Sequence, residues 1–345
     1  MKFETIDGGI AQALSESNCG LRAKDSTRYL NESSSEILKA LLQNGAVLFK
    51  GLHKLHDPVE FENLIESIGL KTRGYVGGSS PRGVIKGKVM EATRTPEDWS
   101  IILHQEQAYI IDAPEVIAFY CETPAEGGLG ESVLGDMRSL TDKVDPKIYA
   151  ELKARGIRLR RPLPSSGRVE LKPGVKKSWE EALAVPSKAE AEQVCRSRGW
   201  DFQWSGEDLV LWQDIIQPER AHPISQKAMW FNQVHFWGAA PMMEWALIDG
   251  RLDDWNELKR ARDQNPELLE AMCFGDGEIL PDDLSLELFE TVRQQEMDFR
   301  LESGDLLLVD NVQFAHGRRA FSGLRKINVT LADWQQPVQF EKESI

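Results

Sequence analysis

The sequence has few cysteines, and none of them lies close to another. The four are Cys19, Cys121, Cys195 and Cys273, and no Cys-x-x-Cys pair occurs. This spacing excludes the common zinc-knuckle and dithiol redox motifs. We therefore expect reduced thiols with mostly structural roles.

Long apolar runs and excess positive charge are also absent. No stretch approaches the roughly 18 to 20 apolar residues that a membrane span needs, and residues 1–8 contain acidic side chains where a signal peptide would have its apolar stretch. Lysine and arginine number 41 against 55 aspartates and glutamates, a formal net charge of -14. Nucleic-acid-binding proteins usually present a basic surface. We expect a cytoplasmic protein with neither a membrane nor a nucleic-acid partner.

What the sequence does contain is 345 residues, 41% of them hydrophobic, which is enough for a large buried core. Strand-like segments bracket a long stretch, residues 137–300, that mixes helical patterns with loops. We predict a single domain over residues 1–345, in which residues 137–300 form an insertion or lid. The predicted class is mainly β with α (α+β), and opposed strands that bring distant residues together fit a jelly-roll barrel.

Several local patterns predict individual elements. Asp57, Pro58 and Glu60 form a capping box with proline at the first helical position, and an apolar stripe follows up to Gly69. A shorter helix over residues 36–42 ends at Gly45. Further helical segments are predicted over residues 244–272 and 282–296, and strands over residues 46–49, 84–93, 101–103, 116–121, 305–310 and 325–331. Residues 75–82 have the composition of a mobile loop.

The most informative segment is Leu103-His104-Gln105-Glu106. Alternate residues of a strand project from one face, so we predict that His104 and Glu106 point into the same space. One imidazole and one carboxylate are two thirds of the facial triad that binds non-haem Fe(II). The third ligand must be a histidine from elsewhere, and among the six histidines His316, which follows an apolar run, is the best candidate.

These residues belong to a longer ordered set of motifs. The set runs from the segment 44–51 to Trp334 and comprises Ser80-Pro81-Arg82, His104-x-Glu106 with Tyr109, the Cys121–Gly128 turn, Ser178-Trp179, Trp230–Gln233, and His316-Gly317-Arg318 with Arg325. It resembles the Fe(II)- and 2-oxoglutarate-dependent dioxygenases of the taurine dioxygenase superfamily. The branch it resembles is that of clavaminate synthase and the amino-acid hydroxylases of natural-product biosynthesis.

The resemblance implies a double-stranded β-helix (jelly-roll) core with helical insertions, in which His104, Glu106 and His316 bind iron. It also implies that Arg325 holds the distal carboxylate of 2-oxoglutarate. A guanidinium suits that role because its fork makes two parallel charge-assisted hydrogen bonds. Ser132 stands where the family usually has a threonine against the same carboxylate. The implied reaction uses Fe(II), O2 and 2-oxoglutarate and releases succinate and CO2, and Glu106 disfavours halogenation because halogenases have a small residue there.

Contacts to the substrate are predicted at Ser80, Arg82, Asn232 and Gln233. Arg82 is either a loop charge or an anchor for a substrate carboxylate, and the aromatic segment Trp230–Trp237 packs at the barrel while its amides reach the pocket. Arg318 and Arg319 are either solvated charges or a second anion contact. His222 is interpreted as structural, and His235 as structural or facing the cavity.

The function that follows is hydroxylation of an unactivated C–H bond in an amino acid or amino-acid-derived metabolite, free or tethered to a carrier protein. Desaturation, cyclisation and epoxidation by the same iron chemistry are alternatives. An alternative of another class is a non-catalytic protein that senses a small acid on the same barrel.

Overall fold

The computed structural model describes residues 1–6, 10–14, 23–52, 55, 57–75, 83–93, 95–126, 129–168 and 177–335. The predicted loop over residues 75–82 therefore lies outside the described residues, apart from Tyr75. The described part of the chain contains helices and mainly antiparallel sheets, which agrees with the predicted mixed class. None of its helices is both long and apolar enough to cross a membrane.

The helices fall both before and between the strands along the chain. Those in the described residues are α1 (Ala23–Glu32), α2 (Ser34–Asn44), α3 (Pro58–Ser67), α4 (Pro146–Arg155), α5 (Trp179–Leu183), α6 (Lys188–Arg198), α7 (Ala239–Ile248), α8 (Leu252–Gln264) and α9 (Asp282–Arg293). The predictions for α2 and α3 are confirmed. Asp57 and Glu60 form the expected capping box on α3, and Gly45 ends α2 in the left-handed conformation.

Strands account for the rest of the regular structure. They are β1 (Lys2–Thr5), β2 (Ala11–Leu14), β3 (Ala46–Phe49), β4 (Leu70–Arg73), β5 (Val84–Lys86), β6 (Val89–Glu91), β7 (Ile101–His104), β8 (Val116–Thr123), β9 (Ser132–Asp136), β10 (Ile157–Leu163), β11 (Asp201–Ser205), β12 (Asp208–Trp212), β13 (Glu219–Ala221), β14 (Ala228–Trp230), β15 (Ala271–Phe274), β16 (Met297–Phe299), β17 (Leu306–Asp310), β18 (Phe314–Arg318) and β19 (Lys326–Trp334).

Two sheets build the part of the fold that positions the site. The larger has the order β1-β2-β3-β17-β8-β19-β6-β5, with β4 also paired to β19, and the smaller has the order β16-β9-β18-β7. Apolar side chains from both sheets, such as Ile117 and Val329 from one and Leu134 and Phe314 from the other, pack in one buried cluster. The opposite face of the large sheet packs against α2 and α3.

The stretch predicted as an insertion contains its own small sheet, β11-β12-β10-β15, and the hairpin β13-β14. The structure corrects two predictions, the strand over residues 84–93 and the helical segment over residues 244–272. Residues 84–93 form a short hairpin, β5–β6, because the chain turns at Gly87, which has a positive φ of 59°. Residues 244–272 are not one helical segment, since α7 and α8 are separated at Gly250 and Ala271 begins a strand.

Candidate active site

The two histidines of the predicted triad are neighbours across a pair of antiparallel strands. His104 ends β7, His316 lies in the middle of β18, and the strand register places them directly opposite each other. Their ring centroids are 4.4 Å apart. Directly opposite residues on one face of an antiparallel pair bring their side chains into contact. The register thus joins two residues that are 212 positions apart in the sequence (316 minus 104).

Glu106 reaches the same place by a different route from the one predicted. Strand β7 ends at His104, so Glu106 belongs to the following turn and not to the alternating face of a strand. Gln107 in that turn has a φ of 54°, a left-handed conformation that is uncommon outside glycine. The turn carries the Glu106 carboxylate to 3.8 Å from His316 Nε2.

Asn311 holds this turn in position. Its Oδ1 accepts a hydrogen bond from Glu106 N at 2.6 Å, and its Nδ2 donates to Glu106 O at 3.0 Å and to Pro114 O at 2.8 Å. Asn311 is fully buried. Because both backbone groups of Glu106 are bound to one side chain, the carboxylate has little freedom to leave the histidines.

The donor atoms of His104, Glu106 and His316 lie within 4.8 Å of one another. Bonds from a first-row dication to nitrogen or oxygen are about 2.0–2.2 Å long, so two ligands of one ion can be no more than roughly 4.4 Å apart. The 3.8 Å between Glu106 and His316 satisfies that limit. The 4.8 Å bound on the other pairs exceeds it by no more than about 0.4 Å, a shift that side-chain rotation supplies. His104 Nδ1 donates to Ile102 O at 3.0 Å, which directs Nε2 to the cluster. The donor set fits a divalent metal.

A cavity of about 160 Å³ opens beside the cluster. Both main sheets contribute to its wall, through Phe119, Leu307 and Ile327 on one side and Ile101, Val133 and Leu134 on the other. Residues between 233 and 270 complete the wall with a mostly aromatic and apolar set. Members of that set are Gln233, Phe236, Trp237, Met242, Trp245, Leu258, Leu269 and Glu270.

Arg325 lies in the cavity wall just before β19, beside Ser132 of β9. Its Nε donates to Gly130 O at 3.2 Å, and a terminal nitrogen lies 3.5 Å from Ser132 Oγ. No carboxylate pairs with it among the described residues. Burial lowers its pKa to about 10, so the guanidinium is still charged at neutral pH. A half-buried cation without a counterion is unfavourable, and an anionic ligand would relieve that cost.

The neighbouring arginines separate into one buried and one surface residue. Arg318 lines the cavity and donates to the carbonyl oxygens of Pro96 and Trp99, and burial together with Arg325 lowers its pKa to about 10. Arg319 points outward and forms ion pairs with Glu296 and Asp298. Of the two interpretations, Arg319 is thus a surface charge, and Arg318 remains a cation at the cavity.

Of the predicted substrate contacts, one lines the cavity, one is buried elsewhere and two lie outside the described residues. Gln233 lines the cavity, where its amide donates to Gln105 O at 2.5 Å and accepts from Trp237 Nε1 at 2.7 Å. Asn232 is buried away from the cavity lining and binds Pro218 O and Val234 N. Ser80 and Arg82 lie outside the described residues.

Two further histidines have structural environments. His222 Nδ1 accepts from Ile224 N and Ser225 N, so the proton is on Nε2, which donates to Asp310 at 2.7 Å. His235 donates through Nε2 to Leu103 O at 2.8 Å, and burial lowers its pKa to about 4. His235 is therefore neutral and supports the end of β7.

Three residues of the site were not identified from sequence: Gln107, Asn311 and Glu270. The conformation of Gln107 depends on the turn around it, and Asn311 binds a backbone 205 positions away. Glu270 lies in a highly charged stretch, where its neighbours give no sign that it faces a cavity. No local pattern distinguishes these residues from ordinary polar ones.

Comparison with known proteins agrees with this geometry. Residues 9–331 match the family described as taurine catabolism dioxygenase TauD, TfdA family. The dapdiamide synthesis protein DdaC of Enterobacter agglomerans is 27% identical over 304 residues, covering 87% of this chain and 86% of that protein. A clavaminate synthase-like protein of Arabidopsis thaliana is 27% identical over 312 residues, covering 87% and 85%.

The fold is also shared with solved structures. An asparagine oxygenase in complex with Fe(II), 3-hydroxyasparagine and succinate superimposes with a TM-score of 0.54 at 10% identity, covering 94% of this chain and 93% of that one. At this identity the likeness concerns the fold alone.

Proposed function

Because the chain belongs to the TauD/TfdA family, it is an iron- and 2-oxoglutarate-dependent oxygenase, and we propose that it hydroxylates an amino acid or amino-acid-derived metabolite. Fe(II) with O2 and 2-oxoglutarate supplies the oxidation of an unactivated C–H bond, with release of succinate and CO2. The observation that carries this proposal is the buried group of His104, Glu106 and His316 beside a cavity.

In this proposal His104, Glu106 and His316 hold the iron. Two imidazoles and one carboxylate are the donor set of non-haem Fe(II) oxygenases, and they leave positions open for ligands. Glu106 is 3% and His316 7% exposed, so the site is shielded from bulk water. Asn311 positions the carboxylate through the backbone of Glu106.

Arg325 and Ser132 bind the distal carboxylate of 2-oxoglutarate. The charge of Arg325 has no carboxylate partner among the described residues, and a dicarboxylic co-substrate supplies one. One of its terminal nitrogens lies 3.5 Å from the Ser132 hydroxyl, and both residues line the cavity. A guanidinium bound bidentately to a carboxylate fixes the orientation of the ligand as well as its affinity.

The core that supports this site is a double-stranded β-helix within a single domain over residues 1–345. Its support is that the two main sheets face each other across the cavity. The insertion over residues 137–300 acts as a lid, since Gln233, Trp237 and Trp245 from it complete the wall.

The substrate is a small molecule of amino-acid type. A cavity of about 160 Å³ accommodates a metabolite or the end of a tethered group, and a relative sharing 27% identity is named for dapdiamide synthesis. Attachment to a carrier protein remains a prediction. Desaturation, cyclisation and epoxidation are the alternatives by the same iron chemistry. Product mass separates the two oxygen additions (hydroxylation and epoxidation) from the two losses of hydrogen (desaturation and cyclisation), and NMR of the product separates the members of each pair.

An anaerobic titration tests the proposal. Addition of Fe(II) and 2-oxoglutarate to the wild-type protein should give a weak visible absorption band, which His104→Ala and His316→Ala should lose. The exposed Glu267→Gln is the control and should keep the band. The proposal is wrong if the wild-type protein gives no band. If it gives the band but releases no succinate under air with any of a panel of amino acids, the alternative of a non-catalytic protein that senses a small acid is favoured.

A further inference from the structure

The cavity wall contains a second acidic side chain besides Glu106. Among the described lining residues, Glu270 is the only other carboxylate. It directly precedes β15, in the insertion, and its side chain is 15% exposed. Since the metal donor set is complete without it, the proposed oxidation leaves Glu270 without a role.

Glu270 is held by a buried arginine on the adjacent strand. Arg160 of β10 pairs with Ala271 of β15, so the antiparallel register places Arg161 beside Glu270. Arg161 Nε donates to Glu270 Oε1 at 2.7 Å, and the Arg161 side chain is 2% exposed. One carboxylate oxygen is therefore fixed by a rigid element, which is what a precise recognition group requires.

The other oxygen of Glu270 is available to a ligand. Oε2 accepts no hydrogen bond from any residue in the described ranges, although the side chain lines the cavity. A carboxylate offers about four acceptor positions, and Arg161 Nε uses one of them. A buried ion pair is also costly compared with apolar residues of similar size. A contribution to packing or stability therefore does not by itself explain why the Arg161–Glu270 ion pair lies at the cavity wall.

The surroundings select the kind of ligand. A carboxylate oxygen recognises N–H donors, and charged donors bind it most strongly. Trp237 lines the same cavity, and an indole face attracts cations. Trp99 and Trp245 also line it, but each already has the Arg251 guanidinium over its ring. Arg318 and Arg325, the cationic residues of the lining, favour anions instead. The wall thus contains separate positions for negative and positive groups.

We propose that Glu270 binds a positively charged nitrogen of the substrate and that Arg161 positions it for this contact. The substrate is then an amino acid or derivative with a free ammonium group. This inference rests on the proposed function and names the substrate class of the same site.

Tryptophan fluorescence of the metal-free protein gives a binding readout that does not depend on turnover. The probes are the proteinogenic amino acids and counterparts in which every amine is acetylated. The wild type should bind at least one amino acid roughly tenfold or more tightly than its acetylated counterpart, in keeping with a charged hydrogen bond. Glu270→Gln should bind the two forms about equally, and the nearby exposed Glu267→Gln should behave as wild type.

Glu270→Gln removes the carboxylate that pairs with the buried Arg161, which threatens folding. The double variant Arg161→Gln/Glu270→Gln removes both charges, and it should also lose the preference while keeping its melting temperature within a few degrees. The inference is overturned if either variant keeps the wild-type preference, or if the wild type prefers no amine over its acetylated form. The Fe(II) and 2-oxoglutarate band of each variant reports separately on the oxygenase itself.

Discussion

Several buried side chains at the site fix the positions of other residues by forming hydrogen bonds with their backbone groups. Asn311 is the clearest case, because one buried amide satisfies the N–H and the C=O of Glu106 and a third backbone group at Pro114. Arg318 restrains the segment 95–99 in the same way, through backbone carbonyl oxygens. The cavity wall is therefore shaped by polar side chains that bind backbone.

Asn311→Ala should lower the free energy of unfolding by at least about 2 kcal/mol, since it leaves buried backbone groups without partners. It should also weaken Mn(II) binding, because the turn that carries Glu106 is no longer held. Urea denaturation and a Mn(II) titration measure the two effects. Asn256→Ala, which removes an exposed amide bonded to Leu252 O, is the control and should change neither by much. Unaltered Mn(II) affinity in Asn311→Ala would contradict the positioning role.

Arg325→Lys should weaken 2-oxoglutarate binding by roughly tenfold, because an ammonium cannot make two parallel hydrogen bonds to a carboxylate. The burial-lowered pKa of about 10 means that Arg325 is protonated over the neutral range. The titration of Arg325 should therefore leave the affinity of the wild-type protein for 2-oxoglutarate unchanged up to about pH 9. The affinity should fall as pH rises through and beyond 10, because Arg325 then loses its charge. The anaerobic absorption band measures it, and Arg319→Lys at the surface is the control. Equal affinity in the two variants would exclude Arg325 as the anchor.

At the scale of elements, the ends of strands and helices decide the geometry. Strand β7 stops at His104, and the left-handed Gln107 reverses the chain so that Glu106 faces the histidines. Helix α2 stops at Gly45, and Asp310 N donates to Gly45 O at 2.8 Å just before the β17–β18 turn. A substitution at Gly45 is therefore expected to disturb β18, the strand that contains His316.

Gly45→Ala should destabilise the protein by about 3 kcal/mol. Its φ of 77° costs a residue with a Cβ roughly 1–2 kcal/mol, and the added methyl group would collide with the ring of Phe314. Gly199 ends α6 with a similar φ of 70° but has nothing near its Cβ position. Gly199→Ala should therefore cost only the backbone part, about 1 kcal/mol. Equal losses by urea denaturation would mean that Phe314 moves aside freely.

At the scale of the whole molecule, two sheets and residues between 233 and 270 line the cavity, and the three described thiols are buried. Cys121, Cys195 and Cys273 are buried and form no disulfide with one another. Cys19 lies outside the described residues. Burial raises the pKa of Cys121 to about 12 and those of the other two to about 11.

These raised pKa values predict slow thiol chemistry in the folded state. In a Cys19→Ser variant at pH 8, roughly one thiol in a thousand or fewer is ionised, and the thiolate is the reactive form. Reaction with a disulfide reagent should be very slow in buffer and should reach three thiols in guanidinium chloride. Rapid reaction of one thiol in the folded protein would show that its cover opens readily.

The sequence by itself determined the elements whose signals are local, such as α2, α3, β3 and β17. Capping boxes, glycines at the ends of helices and the spacing of apolar residues all depend on residues a few positions apart. Such patterns can therefore be recognised from the sequence alone. The order His104, Glu106, His316 and Arg325 was likewise visible in the sequence, and so was the family it resembles.

Only the tertiary structure decided which of these residues meet and how. The register of β7 against β18 pairs His104 with His316, and the turn at Gln107 delivers Glu106. Pairing with β10 places Glu270 beside Arg161 at the cavity. The physical reason is that strand register and cavity lining depend on packing between segments far apart in the chain, which no local pattern encodes.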